Sequence, residues 1–358
     1  MATKNYNNQS VKDFILAHVD NHPADITQLA GTTFGLSRSA INKHMKRLVA
    51  DGYLEAEGNT KARRYTSKPL VDESFTISLS AGLSEDAIWR FRILPLIKNV
   101  KQNVVDICQY CFTEMLNNAI DHSASRDAII SYRQTHSKIT LIVIDHGIGI
   151  FNKIQKDFEL ADPREALLEL SKGKLTSDSK NHSGQGIFFT SRMLDEFVIR
   201  SGLLLYCRGR TTKGNWLIET EETPKYEVGT LVSMEIDVNV TRTPIEVFNA
   251  YQGPDFSFRK THVPIKLSKY TGEMLVSRSQ AKRVLARFEN FDEVILDFAD
   301  VEEIGQAFAD EIFRVFKNAN PDIKVYVINT SQQIDHMIAF AEALNKDMSS
   351  VKTPPRQS

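Results

Sequence analysis

Residues 111–122 read Cys-Phe-Thr-Glu-Met-Leu-Asn-Asn-Ala-Ile-Asp-His, and on a helix Glu114, Asn118, Asp121 and His122 recur at i, i+4, i+7 and i+8. Four polar groups then share one face, while Phe112, Met115, Ala119 and Ile120 are left to pack elsewhere. A solvated stripe would mix in lysine and arginine; this one is bracketed by apolar neighbours and reads as the lining of a cleft. The helical pattern begins near Glu85 and is interrupted near Pro95. Downstream come two strand-like runs, 128–132 and 139–144, the second leading straight into Asp145-His146-Gly147-Ile148-Gly149-Ile150. An aspartate at a strand end, followed by alternating glycines, sets a carboxylate acceptor beside backbone that a flat ligand can approach. Further on, Ser183-Gly184-Gln185-Gly186-Ile187 opens another helix, whose unpaired N–H groups and dipole suit phosphate. The intervening 151–183 reads as a lid-like insert, in which Lys172 and Lys174 either reach phosphates or are simply solvated.

Each signal is weak alone, since a lone G-x-G is usually a turn. In the order E-x-x-x-N-x-x-D-H, D-x-G-x-G, G-x-G they resemble the nucleotide-binding boxes of the Bergerat-fold (GHKL) superfamily, which includes gyrase and the histidine kinases. The form E-x-x-x-N-A-I-x-H is similar to that of the anti-sigma-factor serine kinases. The resemblance implies an α/β sandwich over 72–240 that binds ATP with Mg2+. It makes Asn118 the magnesium ligand, a role suited to an amide oxygen, and Glu114 the general base. Asp145 would accept the adenine amine, Gly147 and Gly149 would let the base approach, and Gly184 and Gly186 would offer amides to the phosphates. Thr230, in Gly229-Thr230-Leu231-Val232, matches a threonine beside adenine. Asp121 and His122 join the nucleotide-binding set, with His122 alternatively satisfying a helix-end carbonyl. The chain shows neither an upstream phosphoacceptor-histidine hairpin nor a gyrase-like transducer domain, which argues against a sensor histidine kinase.

Toward the N-terminus, Val11, Phe14, Ile15 and Val19 mark one helix ending at His22-Pro23, and Asp25 is placed to cap a second carrying Ile26, Leu29 and Ala30. Ser37 opens a third, with Ile41, Met45, Leu48 and Val49 on one face. Its other face carries Arg38, Ser39, Asn42, Lys43, Lys46 and Arg47, types that bond base edges or phosphates. Two short strands, 53–56 and 64–66, flank a basic loop, and Lys61, Arg63 and the strand's first residue Arg64 form a basic wing. Residues 1–70 resemble bacterial winged helix-turn-helix regulators, which implies double-stranded DNA as partner; a protein-docking module is the alternative.

Strand and helix signals alternate over 255–348: strands at 263–267, 294–298 and 324–328, helices at 277–288, 306–316 and 334–344. The run from Ile295 to Glu311 resembles STAS domains at the turn where some members are phosphorylated on serine. Here that turn reads Gly305-Gln306-Ala307, without a hydroxyl. The domain more closely resembles a STAS-like family of uncharacterised role that accompanies such ATPases, and reads as a module for packing, dimerisation or a protein partner. The tail, 349–358, reads as disordered.

At 358 residues, with 42% hydrophobic and 25% charged residues, the chain suits three globular domains. It has no apolar run of bilayer length and no signal-peptide pattern, so a cytoplasmic location and no membrane are expected. Residues 1–68 hold ten Lys/Arg against six Asp/Glu, a local +4 within a net charge of −1. Cys108 and Cys111 form C-x-x-C inside a helical stretch without a second Cys/His pair at zinc spacing, and read as structural. Two functions compete: a regulator whose GHKL ATPase domain controls DNA binding and partner capture, alone or as a homo-oligomer, and a serine/threonine protein kinase of anti-sigma type acting on a separate partner.

Overall fold

Val11, Ile15 and Leu16 turn inward from α1 (Asn8–His18), and with Ile26 and Ala30 of α2 (Ile26–Phe34) they start a small separate core. Gly35, at φ 64°, ends α2 in the left-handed conformation, and Ser37 Oγ caps α3 (Arg38–Ala50) by accepting from Ala40 N at 3.2 Å. The expected Asp25 cap does not form; that carboxylate instead lies 3.2 Å from His22 Nδ1. Ile41, Met45 and Leu48 complete the core, and β1 (Leu54–Glu57) pairs antiparallel with β2 (Arg64–Ser67). The computed structural model describes residues 8–59, 62–80, 82–175, 184–209, 215–219, 229–253, 255, 257–269 and 273–350.

The chain passes from β2 through Leu70, whose N–H donates to Gln134 O at 2.7 Å, into β3 (Val71–Ser78), the edge of a seven-stranded antiparallel sheet. Its other strands are β4 (Asp127–Gln134), β5 (Lys138–Asp145), β6 (Glu196–Ser201), β7 (Leu204–Gly209), β8 (Asn215–Glu219) and β9 (Thr230–Asp237). They lie in the order β3-β4-β5-β9-β6-β7-β8. Alternation buries Ala128, Ile130, Tyr132, Ile139, Leu141, Val143, Phe197, Ile199, Val232 and Met234 on one face. That face needs cover. Before it, the helical pattern breaks into α4 (Glu85–Ile88), a π-helical turn (Trp89–Ile93) and a 3-10 turn (Leu94–Leu96) containing Pro95. Then α5 (Gln102–His122) lays Ile107, Cys111, Phe112, Met115 and Leu116 against the sheet. The insert holds two helices that the sequence reading did not assign, α6 (Ile150–Asp157) and α7 (Glu165–Lys172), and α8 (Gly186–Met193) follows it.

A short helix, α9 (Pro244–Asn249), opened by a Thr243/Glu246 capping box, leads to the C-terminal domain. There β10 (Lys260–Pro264), β11 (Glu293–Asp297) and β12 (Lys324–Ile328) form a parallel three-stranded sheet. The first of these starts earlier than the sequence pattern predicts and stops at Pro264, where Ile265–Ser268 turns into a 3-10 segment. The crossovers are α10 (Arg278–Leu285) and α11 (Gln306–Asp310); the latter continues as a π-helical stretch (Glu311–Phe316) and α12 (Lys317–Ala319). The last helix, α13 (Gln332–Ser350), takes in residues 349 and 350 of the expected tail; 351–358 lie outside the described residues.

The central and C-terminal domains share one hydrophobic core, whereas the N-terminal helices have their own. Phe258 is a keystone of the shared core, 4.6 Å from the Phe188 ring and 5.4 Å from Phe291. No helix among the described residues is long and apolar enough to cross a membrane. Phe258→Ala is expected to cost ~3–5 kcal/mol and to weaken both domains together. Urea titration followed by hydrogen exchange in β5 and β11 checks this, and loss confined to one domain would contradict a shared core.

Candidate functional site

One cleft opens between α5, α6, α8 and the sheet. Glu114, Asn118 and His122 border it from α5; Asp145 and Thr230 from adjacent strand ends; Gly184 and Gly186 from the start of α8. Its floor is apolar: Met115, Ala119, Val143, Ile199 and Val232. Four segments far apart in sequence thus converge on it.

At the sheet end, Asp145 and Thr230 are direct cross-strand partners of β5 and β9. Asp145 is 6% exposed, and its Oδ1 accepts from Gly147 N at 2.9 Å. Burial raises its carboxyl above the usual aspartate range, against the pull of bonds from Gly147 and Thr230. Thr230 Oγ1 also accepts from Ile150 N at 3.0 Å, tying α6 to the strand end. The protein itself demands a glycine at 147, since a Cβ there would lie 1.8 Å from the Ser123 carbonyl oxygen. Neither Gly147 nor Gly149 borders the cleft, so their place is to turn the chain from Asp145 into α6. Gly149 does so at φ 81°.

At the other end, Gly186 opens α8, and a Cβ there would meet Glu114 Oε2 at 2.1 Å. The missing side chain is what lets the Glu114 carboxylate lie against the helix N-terminus, where the dipole favours negative charge. Gly184 accepts from Leu175 N at 3.1 Å, joining the glycine turn to the end of the insert. Asn118 Nδ2 is 3.9 Å from Met115 Sδ, a weak contact for an amide.

Three more of the anticipated residues are placed elsewhere. Asp121 is exposed and outside the cleft: on the helical wheel it falls about 20° beyond Glu114, on the side away from Met115 and Ala119. Lys172 is fully buried and donates to Glu169 Oε1 at 2.6 Å and to two carbonyls of the C-terminal domain, so its ammonium is turned away from the cleft. Lys174 donates to Asn290 O at 2.6 Å, again across to that domain. Ser183 lies outside the described residues. Conversely, α6 contributes Ile150, Lys153, Ile154 and Asp157 to the cleft, and Phe158 follows at its C-cap, with Lys153 and Asp157 paired at 2.9 Å. The Phe151/Ile154/Phe158 spacing carried a helical signal for that wall.

In α5, burial pushes the Cys108 thiol up to about 12 and Cys111 well above the usual range, leaving both protonated and inert. On the N-terminal domain, α3 keeps Arg38, Ser39, Lys43, Lys46 and Arg47 exposed and Asn42 half-exposed, as its periodicity predicts. Arg47 lies 3.5 Å from Asp51. Arg63 and Arg64 are exposed on the strand side of the loop, and Lys61 lies outside the described residues.

A family model for the histidine kinase-like ATPase domain matches residues 82–207, and one for a STAS-like domain of unknown function matches residues 280–335. The chain therefore contains a GHKL ATPase domain followed by a STAS-like domain. No curated protein matches it. The ATPase match implies a nucleotide ligand, and the cleft fits one: an apolar slot for a flat base, a buried acceptor at one end, and helix N-terminal amides at the other.

A ligand amine held by ionised Asp145 binds fully above that carboxyl's pKa and loses affinity as pH falls through it. Because burial moves the pKa up, the loss is expected to begin at a higher pH than for an exposed aspartate. ATP titrations from neutral to mildly acidic pH check this, and Asp145→Asn should bind more weakly with that pH dependence removed.

Proposed function

We propose that this chain is an ATP- and magnesium-binding regulator in which the GHKL domain controls a winged-helix DNA-binding domain and a STAS-like interaction domain. The observation that supports it most is the single cleft bordered by Asp145 and Thr230, by Glu114 and Asn118, and by Gly184 and Gly186. When bound, ATP with magnesium supplies a γ-phosphoryl group activated for hydrolysis or transfer. Asp145 accepts the adenine amine, the Asn118 amide oxygen serves as a hard ligand for magnesium, and the Gly184 and Gly186 amides receive the phosphates. Glu114 takes a proton from water or from a substrate hydroxyl.

The N-terminal domain is joined to the ATPase sheet by more than a linker. The Tyr53 and His136 rings lie 4.1 Å apart, and Lys138 reaches Asp20 at 3.8 Å and Glu235 at 2.9 Å. In this reading α3 enters the major groove of double-stranded DNA, with Lys61, Arg63 and Arg64 along the backbone. Glu114 favours a second reading, a serine/threonine kinase acting on a separate partner, because a pure binding site has no need of a base. The chain's own STAS-like turn, Gly305-Gln306-Ala307, has no hydroxyl to accept a phosphoryl group. Incubation with ATP labelled at the γ-phosphate separates hydrolysis, transfer and sensing by where the label goes.

Asn118→Ala is expected to abolish magnesium-dependent ATP binding, while Glu114→Gln keeps binding and loses turnover by roughly 10²–10⁴-fold. Nucleotide titration with and without magnesium, beside turnover, checks both; unchanged behaviour in Asn118→Ala would remove that residue from the site. For the DNA reading, replacing Lys43, Lys46 and Arg47 by alanine should weaken duplex binding and lower the log–log salt slope by about 0.9 per lost phosphate contact. Duplex affinity across a salt series, with and without ATP, is the measurement, and no duplex binding by the wild type at low salt would favour a protein-docking role.

A further inference from the structure

Two helices beside the cleft, α7 within the insert and α8 after it, are bonded to the STAS-like domain. On α7, the Lys172 ammonium uses its three donors on Glu169 Oε1 (2.6 Å), Arg283 O (3.1 Å) and Ala286 O (2.9 Å). The last two are carbonyls at the C-terminus of α10, where a cation is favoured by both the open acceptors and the dipole. The Lys172 carbonyl in turn accepts from the buried Thr261 hydroxyl of β10 at 2.7 Å. On α8, Arg192 Nη2 donates to His262 O of β10 at 3.2 Å.

Arg287 completes this seam and carries it toward the cleft. Its Nη1 donates to Glu169 Oε2 at 3.1 Å, and its Nη2 donates to the Lys174 carbonyl. The next residue, Leu175, borders the cleft and donates its N–H to Gly184 O at 3.1 Å. One side chain of the C-terminal domain is therefore two hydrogen bonds from the glycine turn before α8. Arg287 is also held at φ 67°, a conformation uncommon outside glycine, which its fixed contacts maintain.

We infer that Arg287 is a positioning residue for the phosphate end of the cleft, acting through Glu169 and the Lys174 carbonyl, so that the STAS-like domain is a structural part of the nucleotide site. The inference rests on the nucleotide reading of that cleft. Its consequence is reciprocal: whatever the C-terminal domain adds to ATP affinity, ATP returns as restraint on the C-terminal domain. A partner that bends α10 or β10 would then loosen ATP, and ATP would change how that surface is presented.

The test uses the full chain. Arg287→Ala is expected to raise the ATP dissociation constant by about tenfold and leave adenosine affinity unchanged, because adenosine lacks the phosphates that the glycine turn receives. Arg287→Lys, which can keep one of the two bonds, should fall between. Equal losses for ATP and adenosine would mean general destabilisation and overturn the inference, as would wild-type affinity for both. A second measurement needs no variant: ATP should slow hydrogen exchange in residues 260–264 and 278–287 of the wild type, neither of which borders the cleft. Exchange changes confined to the cleft would overturn the coupling, whereas failure of the wild type to bind ATP at all would instead overturn the nucleotide reading.

Discussion

Seven antiparallel strands present one apolar face that must be covered, and the rest of the central domain follows from how α5 covers it. A helix has one face to give to a sheet. Ile107, Cys111, Phe112, Met115 and Leu116 take it, which leaves Glu114 and Asn118 rotated to the margin where helix and sheet part. The cleft exists because that margin is not filled. Its floor is the continuation of the same apolar face, through Val143, Ile199 and Val232, so the surface that drives folding also offers a slot for a flat ligand. Polar chemistry is then confined to the two ends, Asp145 with Thr230 and Glu114 with the start of α8.

Much of this was legible because it rests on local periodicity. The polar stripe at 114, 118 and 122, the aspartate closing β5, and the glycines opening α8 each carry a signal within a few residues, and the strand alternation of β4 and β5 is regular. Asp121 shares that stripe on a helical wheel, yet the cleft follows the side of α5 that carries Met115 and Ala119, and only packing reveals which side that is. Lys172 and Lys174 show the opposite failure. Lysines in a glycine-flanked insert read as phosphate ligands or solvated charges, and nothing in the sequence between them and Arg283 or Ala286 announces that a second domain supplies their partners. Long-range pairing of this kind has no sequence period.

The charges of that seam are costly to bury, and the cost bears on what they are for. Burial lowers the Lys172 ammonium below the usual lysine range and the Arg192 guanidinium to about 9. Arg192 meets carbonyl oxygens, the Ser191 hydroxyl and the faces of Phe188 and Tyr251, and its Nε has no hydrogen-bond partner among the described residues. Well-packed apolar residues of similar volume commonly serve stability as well as such groups do, whereas removal of one partner of a buried pair costs ~3–5 kcal/mol. Stability alone therefore does not account for lysine and arginine here. What directional bonds add over an oily contact is register: an ammonium with three acceptors fixes α7 against the end of α10, where an apolar seam such as Phe188–Phe258–Phe291 tolerates sliding. Gly173 follows directly, at φ 78°, with no room for a side chain because Phe258 occupies it. Hence α7 ends at one defined point, the chain leaves it in one direction, and Leu175 meets Gly184 in a single alignment. A cleft assembled from segments so far apart in sequence needs such a reference, and the STAS-like domain supplies it.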